Sequence, residues 1–157
     1  MDALPSGLRV MAMMLCRNEA DVIAECIGAL AAWGVPRLAV LDGCSDDGTW
    51  ETLQDIQRRK LDLGIELDLL REDQATAARF REDKREMLYA LARRSAPFDW
   101  VISIDADEIY HTSPLEAIET AEADGAECVI PFIPEFWVTM DDVRNGALVE
   151  DERLSVQ

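Results

Sequence analysis

Hydrophobic and polar positions alternate with two different periods along the chain. Residues 10–15 form a nearly continuous apolar run, the pattern of a central strand covered on both faces. Val22, Ile23, Cys26, Ile27 and Leu30 then recur at helical spacing, with Asn18 placed to cap the helix and Gly34 and Pro36 to stop it. Residues 38–41 predict a second strand, followed by the turn 42–49 and a helix carrying Trp50, Leu53 and Ile56. Ile65, Leu67 and Leu69 alternate with Glu66 and Asp68, so the third strand has one wet face and belongs near a sheet edge. A long helical region follows, with Phe80, Met87, Leu88 and Leu91 available for its buried side, and residues 100–104 return to a compact apolar strand. Ser113, Pro114 and Glu116 form an S-x-x-E helix start with proline at the first helical position. A fifth strand is expected near 128–132, confined to an edge or an irregular segment by Pro131 and Pro134.

Strands alternating with helices imply right-handed crossovers and a mainly parallel, Rossmann-like sheet in a three-layer α/β/α sandwich. The 157 residues fit a single domain, with residues 138–157 expected as a loose acidic tail because their apolar periodicity is weak. The net charge of -17, from 32 acidic against 15 basic residues, argues against nucleic acid or an anionic membrane as the main partner. A cation, alone or as a metal-bound anion, suits this charge better. No apolar run is long enough to span a bilayer, so no integral membrane segment is expected, and the N-terminus shows no export signal. Cys16, Cys26, Cys44 and Cys128 lack metal-like pairing and read as free thiols in a reducing cytoplasm.

In such sheets ligands sit outside the carboxyl ends of the strands. The expected ends of strands one, two and four carry CRNE (16–19), DGCSDDG (42–48) and DADE (105–108), so polar chemistry gathers on one rim. Asp105 and Asp107 are two apart on an extended segment and face the same way. Two carboxylates so placed suit a hard divalent ion that also takes phosphate oxygens, although a capped, solvated turn explains the same letters. Asp42 ends a buried strand and needs a polar partner, which a ligand's base or ribose could supply. Asn18 and Glu19 suit a helix start, whereas Arg17 asks for an anion or a pairing acid.

Basic residues are scarce, yet six of the 15 (Arg79, Arg81, Lys84, Arg85, Arg93 and Arg94) lie between the third and fourth strands. Arg93 and Arg94 belong to a helix's last turn, where positive charge is expected. Arg79 or Lys84, nearer the rim, is the better candidate for a diphosphate.

Taken together, MMLCRNEADVI, LAVLDGCSDDGTWE, Arg79 and DWVISIDADEIY resemble the family 2 glycosyltransferases of the GT-A fold, in bacterial members with R-N-E, D-x-x-S-x-D-G-T and D-A-D-E stretches. The resemblance covers roughly residues 8–137 in the family's order. It implies that Leu15, Arg17 and Asp42 line the pocket for the nucleotide base and ribose. Arg79 or Lys84 would approach the diphosphate, Asp105 would hold nucleotide and metal, and Asp107 would hold the metal, Mn2+ or Mg2+. Glu108 matches an acidic position of the family without an assigned role. The partners implied are a nucleotide-diphosphate sugar and an unknown acceptor. Family members usually continue beyond the position of Gln157, so much of the acceptor half is expected to be missing, and no catalytic base is identified among Glu135, Trp137, Asp141 and Asp142.

Two other readings compete. A truncated or degenerate domain would bind nucleotide or a protein partner without turnover, with Phe132, Phe136 and Trp137 marking an apolar patch. VISIDADE also looks like the nucleophile strand of haloacid-dehalogenase-type phosphatases, but that chemistry needs a downstream lysine and none follows Lys84.

Overall fold

The computed structural model describes residues 7–59, 63–73, 81–110, 112–129, 136–137 and 149–150. The first apolar run forms β1 (Val10–Cys16), buried or half-buried at every position. It is flanked on one side by β2 (Arg37–Asp42) and on the other by β4 (Trp100–Asp105), both parallel to it. The strand β3 (Glu66–Arg71) pairs in parallel with the outer side of β2, giving the order β3-β2-β1-β4. This places β3 at an edge, where exposed Glu66 beside buried Leu67 fits a half-wetted strand.

The alternation of side chains along β1 divides the core between two faces. Val10, Ala12, Met14 and Cys16 pack with Ile23, Cys26, Ile27 and Leu30 of α1 (Ile23–Ala32), Leu53 and Ile56 of α2 (Thr49–Arg58), and Leu115 and Ile118 of α4 (Pro114–Ala123). Met11, with Met13 and Leu15 beside it, packs against Leu88 and Ala92 of α3 (Arg81–Ser95). The sheet is therefore covered on both sides, which is why β1 and β2 read as unbroken apolar runs. Each fully buried Leu or Ile of this core contributes roughly 1.5–3 kcal/mol of burial free energy.

Helix ends follow the local chemistry. Gly34 takes a positive φ of 81°, which lets Val35 turn back, donate its N–H to the Leu30 carbonyl at 3.1 Å and bury completely. The Ser113 side chain accepts from the Glu116 N–H at 3.3 Å, and Pro114 opens α4 as its spacing predicts.

Three expectations need correction. Asn18 does not cap α1, which starts at Ile23 with no side-chain cap; Asn18 instead has a φ of 59° and bonds the loop after β2. Met87 is 39% exposed, because the buried stripe of α3 runs through Lys84, Leu88 and Ala92 at four-residue spacing. Cys128 and Val129 are not in a strand, and the rest of the expected fifth strand, with Phe132, lies outside the described residues. Of the segment 138–157 only Val149–Glu150 (β6) is among the described residues, and it pairs antiparallel with Phe136–Trp137 (β5). No helix among the described residues is long and apolar enough to cross a membrane.

Candidate active site

The chain runs from β1 outward to β2 and β3, then crosses back to place β4 on the other side of β1. At that reversal the loops after β1 and β4 diverge and leave a crevice at the carboxyl ends of the strands. A cleft of about 320 Å³ lies there. Leu15, Arg17 and Glu19 line it from the end of β1, Gly43 from the end of β2, Lys84 from α3, and Asp105 and Asp107 from the end of β4.

Asp105 and Asp107 thus share one cleft, while Ala106 between them turns into the core at 2% exposure. The turn that carries them is closed by Glu108, whose Oε2 accepts the Asp105 N–H at 2.9 Å while its own N–H donates to the Asp105 carbonyl at 3.1 Å. Helix α1 holds this turn from beneath. The Cys26 thiol donates to the Glu108 carbonyl at 3.1 Å, and the Trp33 indole N–H donates to the Tyr110 carbonyl at 3.0 Å. Burial, reinforced by Glu108 and Asp107, pushes the Cys26 thiol up to about 12, so it keeps its donor hydrogen.

Glu19 belongs to the cleft and not, as its place after Asn18 suggests, to the first turn of α1. Its N–H donates to Thr49 Oγ1 at 2.9 Å, and its carbonyl accepts from Val22 and Ile23 ahead of the helix. Burial raises the pKa of its carboxyl, and Asp107, Asp21, Asp47 and Asp105 raise it further. This marks the cleft as a place where negative charge is crowded. The letters of CRNE give no hint of it, because a Glu one residue after a cap would ordinarily face the helix dipole.

The loop after β2 is held by its own side chains. Asp42 is fully buried; it accepts the Ser45 hydroxyl on Oδ1 and the Ser45 N–H at 3.2 Å on Oδ2, and Arg71 Nε lies 3.2 Å from the same Oδ2. The polar partner that the sequence left open is therefore supplied by the chain, and Asp42 sits behind the cleft lining. Asn18 N–H donates to Ser45 Oγ at 3.0 Å, Asn18 Oδ1 accepts the Asp46 N–H at 3.1 Å, and Asp47 Oδ2 accepts the Ala20 N–H at 3.0 Å. These bonds stitch the β1 and β2 loops into one wall. The side-chain and backbone hydrogen bonds from Thr49 hold the Asp47 carboxyl below its usual range.

Among the basic candidates, Lys84 is 8% exposed and lines the cleft. Arg17 is exposed on its rim and has no acidic partner among the described residues. Arg79 lies outside the described residues. Among the described residues no three acidic, cysteine or histidine side chains come together as a ready metal cage. A hard ion that takes one or two carboxylates and completes its shell with phosphate oxygens and water needs no such cage, so Asp105 and Asp107 fit Mn2+ or Mg2+ delivered with a diphosphate.

The family model described as glycosyl transferase family 2 matches residues 12–139. Among solved structures, the mannosyltransferase PcManGT from Pyrobaculum calidifontis, in complex with GDP-Man and Mn2+, is similar to this chain with a TM-score of 0.54 and 24% sequence identity. The match covers 70% of this chain and 30% of that one, so the chain spans less than a third of the neighbour's length. A comparison with curated proteins finds no match.

Proposed function

The chain belongs to glycosyl transferase family 2 and has a GT-A type fold, and from that premise we propose that it transfers a sugar from a nucleotide-diphosphate sugar to an acceptor with the help of a divalent cation. The observation that supports this reading is the pairing of opposite charges in one cleft: Asp105 and Asp107 on the β4 side, Lys84 and Arg17 on the others. Carboxylates alone would serve a cation, and basic groups alone an anion. The two together suit a diphosphate that arrives with its metal.

In this reading the segment from Leu15 to Arg17 takes the base and ribose, and Asp42 contributes through the loop it holds. Lys84 approaches the diphosphate, the role for which Arg79 is the alternative candidate, and Asp105 and Asp107 orient the nucleotide through the ion. Mn2+ or Mg2+, when bound, would neutralise charge on the departing diphosphate. The reaction breaks the bond between the sugar's anomeric carbon and the diphosphate oxygen, and an acceptor oxygen forms the new bond and loses its proton. Glu108 and Cys26 keep the carboxylates in place while this happens. Family membership favours sugar transfer over the aspartyl-phosphatase reading of VISIDADE.

Titration of UDP and GDP in the presence and absence of Mn2+ tests the donor site; the Mn2+ and GDP-Man of the solved neighbour make these sensible first probes. Binding that needs Mn2+ and is lost in Asp107→Ala is expected. If neither nucleotide binds, or if binding ignores both metal and Asp107, the proposal fails. Release of free sugar from the bound nucleotide sugar separates an enzyme from a domain that binds without turnover.

A further inference from the structure

Residue 72 follows the edge strand β3, and its N–H extends the parallel ladder by donating to the Asp42 carbonyl at 2.9 Å. Strand alternation sends Arg71 to the α2 side, over the Trp50 ring, and Glu72 to the opposite face, beneath α3. There the Glu72 side chain is 1% exposed, and Lys84 Nζ lies 3.0 Å from its Oε2. Among the described residues that oxygen makes no aligned hydrogen bond, and the nearby ammonium compensates its charge. The same ammonium is 3.6 Å from where a Cβ on Gly43 would stand, at the wall of the cleft.

We propose that Glu72 is a positioning residue: it anchors the Lys84 ammonium at the cleft wall above Gly43, where the diphosphate of the donor is held. The inference rests on the donor-site reading above. A lysine stem is long and flexible, and a free ammonium at position 84 would sample many positions. A buried carboxylate on the neighbouring strand removes that freedom and holds the ammonium at the cleft wall.

The test compares UDP and GDP with UMP and GMP, all with Mn2+, on wild type, Glu72→Gln and Glu72→Asp. Glu72→Gln removes the anchoring charge, and Glu72→Asp keeps the charge pair, and with it the fold, but draws the ammonium back by one carbon. Both are expected to weaken the diphosphates on the order of tenfold, the loss of one charged hydrogen bond, while the monophosphates change little. The double variant Glu72→Gln/Lys84→Met is expected to bind the diphosphates no worse than a few-fold below Glu72→Gln, because Glu72 acts through the Lys84 ammonium and the two losses are not additive. Equal or tighter diphosphate binding in the Glu72 variants overturns the proposal, as does an equal loss for mono- and diphosphates. Failure of wild type to bind either diphosphate would instead count against the donor site itself.

Discussion

Arg71 Nε stands 3.2 Å from Asp42 Oδ2, joining a third-exposed guanidinium on the edge strand to a carboxylate that water does not reach. The same guanidinium donates to the Ser45 carbonyl at 2.6 Å and lies 5.4 Å from the centre of the Trp50 ring. It is thus the outer clamp on the loop that forms one wall of the cleft. Arg71→Met leaves Asp42 with Ser45 alone, and a cost of about 2–4 kcal/mol is expected, since an uncompensated buried carboxylate is the expensive species. Urea denaturation should show a lower midpoint with an unchanged slope, and Asp42→Asn combined with Arg71→Met should recover part of the loss. A midpoint that does not move in Arg71→Met would mean that Ser45 suffices.

Glu108 closes the carboxylate turn through an acceptor oxygen. Its Oε2 meets the Asp105 N–H at 2.9 Å, and Gln in its place keeps a carbonyl oxygen there. Glu108→Gln is therefore expected to retain Mn2+-dependent nucleotide binding, while Glu108→Ala loses about 1 kcal/mol of stability and weakens that binding. Thermal melts with and without Mn2+ and UDP or GDP read both effects, because a ligand that binds only the folded chain raises its melting temperature. Identical behaviour of the Gln and Ala variants would exclude the backbone contact as the reason for this residue.

Much of the frame was legible because burial on both faces leaves a plain imprint. The runs at β1 and β2, the half-wet β3 and the S-x-x-E start of α4 all follow from one-dimensional periodicity. Strand-end chemistry was legible too, since DADE and CRNE flank the one place where the strand order reverses. What escaped were relations between distant segments. Arg71 and Glu72 look like solvated charges at the end of an edge strand, and only the packing of α2 and α3 over the two faces turns them into partners of Asp42 and Lys84. Asn18 has the place of a cap because the apolar positions after it recur at helical spacing, yet its side chain finds the Asp46 N–H across the loop and the helix begins later. The burial of Lys84 has a signal in the sequence: it lies four residues before Leu88 and eight before Ala92, on the stripe that faces the sheet.

Thiol chemistry separates the four cysteines. Burial pushes both Cys16 and Cys26 up to about 12, with Asp42 the leading charged neighbour for Cys16 and Glu108 for Cys26. Cys44 is half-buried and Cys128 exposed. Iodoacetamide at pH 8 is expected to label Cys128 first and Cys44 more slowly, and to reach Cys16 and Cys26 only after denaturation, because the thiolate is the nucleophile. Peptide mapping of the folded chain reads this directly. Labelling of Cys26 in the native protein would show that the turn beneath Asp105 and Asp107 opens.

The seam between β1 and β4 carries a pH dependence at the end opposite the cleft. Asp99 and Arg9 close its first rung: the Arg9 N–H donates to Asp99 Oδ2 at 2.9 Å, Arg9 Nε donates to the same oxygen at 3.0 Å, and the Asp99 N–H donates to the Arg9 carbonyl at 2.8 Å. The Arg9 side-chain hydrogen bond, helped by its backbone N–H, lowers the Asp99 carboxyl to about 2. The folded value lies below the ordinary carboxylate value of about 3.9, so the folded state favours the ionised form. The contribution is fully present above about pH 4 and is lost as pH falls towards the folded value. Many other carboxylates titrate in that window, so the informative quantity is a difference. Urea midpoints of wild type and Asp99→Asn should be separated at pH 6 and converge as pH falls from about 4 towards 2. Both side chains are well exposed, which keeps the separation small and makes it shrink with added salt. A separation that stays constant down to pH 2 would mean that the difference between the two proteins does not come from the ionisation of Asp99.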